Sequence, residues 1–158
     1  KGEILKLTWK NTDLENKALY FLDTKNGEDR TVAIPSILFD ELKAYKEQNK
    51  VRHLKNDYLF ASPNNKPYDY LIDKVFPQMV NKAGMEKITF HGLRHTYTSI
   101  GALLGVNTDI MDKITGHKNG RMTARYTHSD CESLRKPMDL IANYMFGIKE
   151  TKGIKNAN

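Results

Sequence analysis

Asn26-Gly27, set between two short apolar runs, is the feature that most limits how this chain can fold. The pair favours the positive φ angles of a two-residue hairpin turn. Before it, residues 18–23 read as a strand; after it, residues 30–34 read as the returning strand, stopped by Pro35. Lys25 therefore falls at the tip or shoulder of a β-hairpin. The segment before this hairpin is short. Residues 2–9 carry Ile4, Leu5 and Leu7 among charged residues and read as the end of a helix, and residues 11–16 are polar and turn-like.

Beyond Pro35 the apolar period changes from two to nearly four. Leu38, Leu42 and Tyr45 form one stripe, with Ser36 as N-cap. Residues 56–63 read as a short extended piece with a turn. Residues 68–83 predict a second helix, striped by Leu71, Val75, Met79 and Ala83, bent at Pro77 and stopped by Gly84. Residues 91–104 predict a third and residues 108–114 a short fourth, ended at Gly116. A fifth is expected over residues 121–128 and a sixth over 129–146, disturbed by Pro137. The expected class is α+β and mainly α-helical, with one small antiparallel sheet near the N-terminus. Residues 149–158, rich in Lys, Asn and Gly, are expected to be a flexible tail.

A length of 158 residues suits one domain with one core. No apolar run approaches the roughly 20 residues that span a bilayer, and no membrane partner is expected. Cys131 is the only cysteine, which excludes an internal disulfide and fits a reducing cytoplasm. The formal charge of +6 favours a polyanionic partner, although charge alone does not identify one. The chain starts Lys1-Gly2-Glu3, with neither Met nor signal peptide, and reads as an excised fragment.

The third predicted helix carries the most chemistry. His91 and Arg94 lie three apart and share a face, while Leu93, Tyr97, Ile100 and Leu104 form a separate apolar stripe. Such a helix anchors itself on one side and presents polar groups on the other. His91 and His95, four apart, also have zinc-ligand spacing. Gly92 stands where a zinc protease carries its Glu, and Arg94 sets a fixed positive charge beside the pair, so the metal reading is set aside. A second cluster runs through Gly116-His117 to Arg125-Tyr126-Thr127-His128, with Tyr126 nine residues beyond His117. Taken one at a time, these are ordinary surface residues.

As an ordered set they resemble the tyrosine recombinase, or phage integrase, family. The resemblance is carried by His91-x-x-Arg94 with His95-Thr96 following, by Gly116-His117, and by Arg125-Tyr126-Thr127-His128. Thr24-Lys25-Asn26-Gly27 with Arg30-Thr31-Val32 and Ile34-Pro35 is similar to the family's hairpin lysine segment. Gly2-Glu3-Ile4-Leu5 with Leu7 and Trp9 is similar to the stretch following its first catalytic arginine.

The resemblance implies the family's catalytic-domain fold over residues 1–148, without its N-terminal helices. It implies site-specific DNA recombination, integrating and excising a phage or other mobile element. Tyr126 would attack the scissile phosphate and form a 3′-phosphotyrosine. A tyrosine of pKa about 10 is only ~0.1% ionised at neutral pH, so it needs a base, and His91 matches the family's general base. Arg94 matches a phosphate clamp, His117 a further hydrogen bond to the phosphate, and Lys25 the general acid for the 5′-oxygen. No cofactor or metal is implied. The implied partner is double-stranded DNA, with a homotetramer on DNA and a monomer without it. The family's first arginine would stand immediately before Lys1, so this fragment alone is expected to be inactive. A type IB topoisomerase and a non-catalytic DNA-binding module are the competing readings.

Overall fold

The computed structural model describes residues 1–22, 29–48, 57–62, 64, 66–68, 71–116 and 128–148. Both hairpin strands form where the alternation put them. β2 (Ala18–Phe21) and β3 (Arg30–Ala33) pair antiparallel, with Ala18 opposite Ala33 and Phe21 opposite Arg30. A two-residue strand, β1 (Thr12–Asp13), extends the sheet to the order β1-β2-β3. The sequence reading treated this stretch as a turn. What makes it a strand is its pairing with Ala18 and Leu19, together with the hydrogen bond from Thr12 Oγ1 to the Thr8 carbonyl at 2.8 Å. Between β1 and β2, Lys17 adopts φ 51°. There Asp13 accepts from the Asn16 backbone N–H at 2.8 Å, an Asx-type turn.

Helix α1 (Gly2–Leu5) is shorter than the expected residues 2–9. The chain leaves it to pair with a distant segment: Trp9 N–H donates to Asp57 and Leu59 N–H donates to Leu7, at 2.9 and 2.8 Å. Helix α2 (Ser36–Gln48) starts at its predicted cap, but the partner is not local. Asp139, far along the chain, accepts from the Ser36 N–H at 2.6 Å. Leu42 is buried as expected, whereas Leu38 is exposed.

The second predicted helix is a π-helical turn (Leu71–Val75) running into α3 (Phe76–Lys82), with Pro77 in the first turn of the α-helical part. Pro77 cannot donate to the carbonyls of the helical turn before it, and the change from π to α geometry falls next to that missing donor. The expected stripe is corrected: Ile72 is buried and Met79 is exposed. The π-helical turn shifts the helical phase away from the uniform period assumed for the stripe.

Helix α4 (Phe90–Leu103) begins one residue early, and α5 (Thr108–Thr115) ends at Gly116 as predicted. Asn107 caps α5 by accepting from the Asp109 N–H at 2.7 Å. Helix α6 (His128–Met145) runs through Pro137, where a disturbance was expected. Leu134, Met138 and Ile141 are buried on either side of that proline. Their burial opposes the local proline cost of about 3 kcal/mol. His128 belongs to α6 rather than to the fifth helix expected over residues 121–128. The fifth predicted helix and the tail lie outside the described residues.

Two hydrophobic clusters meet at the sheet. One joins Ala18, Val32 and Ala33 to Ile114, Leu134 and Met138. The other joins Leu7 and Ile34 to Leu42 and Leu59, and Phe21 packs against both. Arg135 on α6 reaches back to the sheet, donating to the carbonyls of Asn16, Lys17 and Ile34 at 3.2–3.4 Å. Among the described residues, no helix is long and apolar enough to cross a membrane.

Candidate active site

Helix α4 carries the two described members of the predicted set. Its start is fixed by Thr89, whose backbone is extended (φ −89°, ψ 155°) and whose Oγ1 accepts from the Gly92 N–H at 3.0 Å. Phe90, next in the chain, packs edge-on against Phe76 with ring centroids 5.5 Å apart. These contacts fix the first turn, and with it His91 and Arg94. The buried side of α4 differs from the expected stripe. Leu93 is exposed, while Tyr97 packs against the core as expected; the helix also packs through Gly101, where Met111 of α5 fits so closely that a Cβ would lie 2.5 Å from its sulfur.

His91 is exposed, and its ring meets that of His95 edge-to-face with centroids 4.9 Å apart. Among the described residues, no group of three or more His, Cys, Asp or Glu is placed to hold a metal ion. Arg94 is half-buried, and its Nε has no solvent access and no hydrogen-bond partner among the described residues. Burial lowers its pKa from the ordinary arginine value; the positive charge of Arg30 acts in the same direction, and Glu3 opposes both. Among the described residues no carboxylate forms an ion pair with Arg94.

Arg30 and Glu3 complete this neighbourhood. Arg30 projects from the first residue of β3 and grips Glu3 of α1 with both arms, Nη1 to Oε1 at 2.5 Å and Nη2 to Oε2 at 2.8 Å. Its guanidinium carbon lies 4.8 Å from the centroid of the Phe21 ring. The same group closes over Gly116, where an added Cβ would sit 2.9 Å from Nη1. Gly116 also has φ +70°, so glycine is needed there for both conformation and space. The hydrogen bond with Arg30 holds the Glu3 carboxyl below the ordinary carboxylate range; burial opposes this, and the charges of Arg30 and Arg94 assist it.

Thus α1, β3, α4 and the end of α5 converge on one cluster of charges. Sequence reasoning placed Arg94, His91 and the Gly116 turn correctly on their elements. It treated Arg30 and Glu3 only as part of flanking motifs. They are 27 residues apart, and no local period links them. The available signal was an Arg at the foot of a hairpin strand and an acid in the first turn of the preceding helix. Lys25, His117 and Tyr126 lie outside the described residues. A separate cavity of about 460 Å³ lies between α3 and the start of α4, lined by Ile72, Phe76, Val80 and Phe90 among others, and neither Arg94 nor Arg30 contributes to it.

The chain is similar to several curated recombinases. Tyrosine recombinase XerA of Saccharolobus solfataricus is 30% identical over 138 residues, covering 85% of this chain and 43% of the relative. XerA of Thermococcus kodakarensis is 30% identical over 142 residues, covering 87% of this chain and 49% of the relative. The chain thus spans about half the length of these relatives. A crystal structure of XerA recombinase shares the fold with a TM-score of 0.61, at 24% identity, over 92% of this chain and 50% of that one. The phage integrase family model matches residues 1–133, from the α1 glutamate through the convergence of Arg30, Arg94 and Gly116 and into α6, and the chain belongs to that family.

Proposed function

We propose that this protein cuts and rejoins double-stranded DNA at specific sites through a covalent tyrosine intermediate, integrating and excising a mobile element. The observation that carries the reading is Arg94: a guanidinium on a fixed helix, partly withdrawn from water, with no carboxylate paired to it among the described residues. Such a group suits a phosphate, whose planar pair of oxygens its fork can match. Belonging to the integrase family, and being similar to proteins named as tyrosine recombinases, supports the reaction class.

In this reading the phenol oxygen of Tyr126 attacks the scissile phosphorus, and its proton passes to His91. The bond to the 5′-oxygen breaks as the bond to tyrosine forms, and Lys25 gives the leaving oxygen a proton. Negative charge gathers on the non-bridging oxygens, where Arg94 and His117 hold it; one such donor is often worth about 3 kcal/mol. A 5′-hydroxyl then attacks the phosphotyrosine and restores a phosphodiester. Each step exchanges one phosphate ester for another, so no nucleotide triphosphate is consumed. The working assembly is a homotetramer on DNA built from monomers, acting in the cytoplasm.

The test uses the full natural polypeptide and a nicked DNA site that loses a short 5′-hydroxyl fragment on cleavage. The expected result is a covalent protein–DNA adduct that survives denaturation and disappears in Tyr126→Phe, with DNA binding retained. An adduct that persists in Tyr126→Phe rejects the nucleophile. Relaxation of a single plasmid, without exchange between two sites, assigns the protein to topoisomerase chemistry instead. Light scattering that shows a monomer on a complete site rejects the tetramer.

A further inference from the structure

We propose that Arg30 is a positioning residue that acts by occupying Glu3, so that the carboxylate does not capture Arg94. This rests on the reading of Arg94 as the phosphate clamp. The geometry is the argument. Both oxygens of Glu3 are taken, one by each terminal nitrogen of Arg30, at 2.5 and 2.8 Å. A two-pronged pair of this kind neutralises the carboxylate and fixes its orientation, which weakens its pull on a second guanidinium. Arg30 itself cannot easily swing away. Its guanidinium is held between the Glu3 carboxylate, the approach to Gly116 and the Phe21 ring.

Glu3 is a close enough neighbour of Arg94 for each to feel the charge of the other. With Arg30 removed, Glu3 would lose the partner of both its oxygens beside a part-buried guanidinium that no described carboxylate pairs. Pairing between the two is the expected outcome, since both are costly to leave alone. The clamp would then face the phosphate already neutralised, and every DNA complex would first have to break an ion pair. Arg30 also adds positive charge of its own near the clamp, which favours an incoming phosphate over water. None of this requires Arg30 to touch DNA.

A purely structural role for Arg30 and the proposed role make opposite predictions for a double variant. In the full natural polypeptide, Arg30→Ala is expected to slow single-turnover adduct formation by about 100-fold at saturating DNA, the scale for loss of one transition-state donor. Adding Glu3→Gln removes the stray carboxylate and is expected to bring the rate back to within about 10-fold of the parent, with most of the donor restored. Arg30→Gln, which keeps the packing stem, gives the same pair of measurements should Arg30→Ala fail to fold. A double variant no faster than its single parent overturns the proposal, as does a single variant that cleaves at the parent rate. The control is Arg94→Ala. Undiminished cleavage there removes the clamp reading itself, whatever the Arg30 variants do.

Discussion

The guanidinium of Arg30 lies so close over Gly116 that a side chain of even one carbon would meet its Nη1 at 2.9 Å. The left-handed backbone of Gly116 adds a second penalty, because φ +70° is unfavourable for any residue with a Cβ. Gly116→Ala is therefore expected to destabilise the protein by about 1–3 kcal/mol. The same change disturbs the grip of Arg30 on Glu3. A denaturant melt of the variant measures the loss directly; an unchanged midpoint would show that the turn relaxes freely.

Tyr97 makes a contrasting case. Its ring is partly exposed, yet its hydroxyl is buried with no hydrogen-bond partner among the described residues. An unpartnered buried hydroxyl costs free energy rather than supplying it. Tyr97→Phe is expected to leave stability unchanged or raise it by up to about 1 kcal/mol. Burial also pushes the phenol up to about 12 from 10.0. The raised value means that the folded state holds the proton more tightly than the unfolded state. Stability from this group is complete below pH 10 and is lost as pH rises towards 12. Parent and Tyr97→Phe should therefore differ in slope across that window in alkaline melts.

Glu3 behaves oppositely at the acid end. Its carboxyl is held below the ordinary value of 4.5, chiefly by Arg30. The contribution is present above 4.5 and is lost as pH falls through the lowered folded value. Urea midpoints for the parent and for Glu3→Gln should differ at neutral pH and converge in acid. A gap that stays constant as pH is lowered well below 4.5 would mean that the ion pair contributes nothing to stability.

Gly101 separates two costs that usually come together. Alanine there gains up to about 1 kcal/mol of helix propensity. Its Cβ must push aside the tip of Met111, whose sulfur and methyl would lie 2.5 and 2.8 Å away, and Met tips move easily. Gly101→Ala is expected to be close to neutral. Gly101→Val adds branching against Ile141 as well, and should cost about 2 kcal/mol. Thermal melts of the two variants distinguish overpacking from propensity.

The sequence was readable where a single local signal decides the outcome. Gly116 ends α5 as read, because a left-handed stop acts on its immediate neighbours. The hairpin strands followed for the same reason. Reading failed where a distant partner decides. The two-residue β1 owes its existence to β2, and α6 passes Pro137 because its neighbours are buried against the sheet. Leu93 and Met79 were assigned inward by period alone and face solvent. Arg94 and His91 were placed on one helix by their spacing, while the roles expected of them came from the ordered set of motifs rather than from that spacing. Arg30 with Glu3 was not legible, because an ion pair between elements leaves no trace in either local pattern.

The staple from Arg135 to the Asn16, Lys17 and Ile34 carbonyls has a consequence for synthesis on the ribosome. The hairpin is made early, yet Val32 and Ala33 are covered only once Leu134 and Met138 have left the exit tunnel. Residues 117–127, with His117 and Tyr126, emerge before that cover exists. Completion of α6 is thus the moment at which the sheet of a growing polypeptide is covered, and contacts spanning more than 100 residues make it a late one.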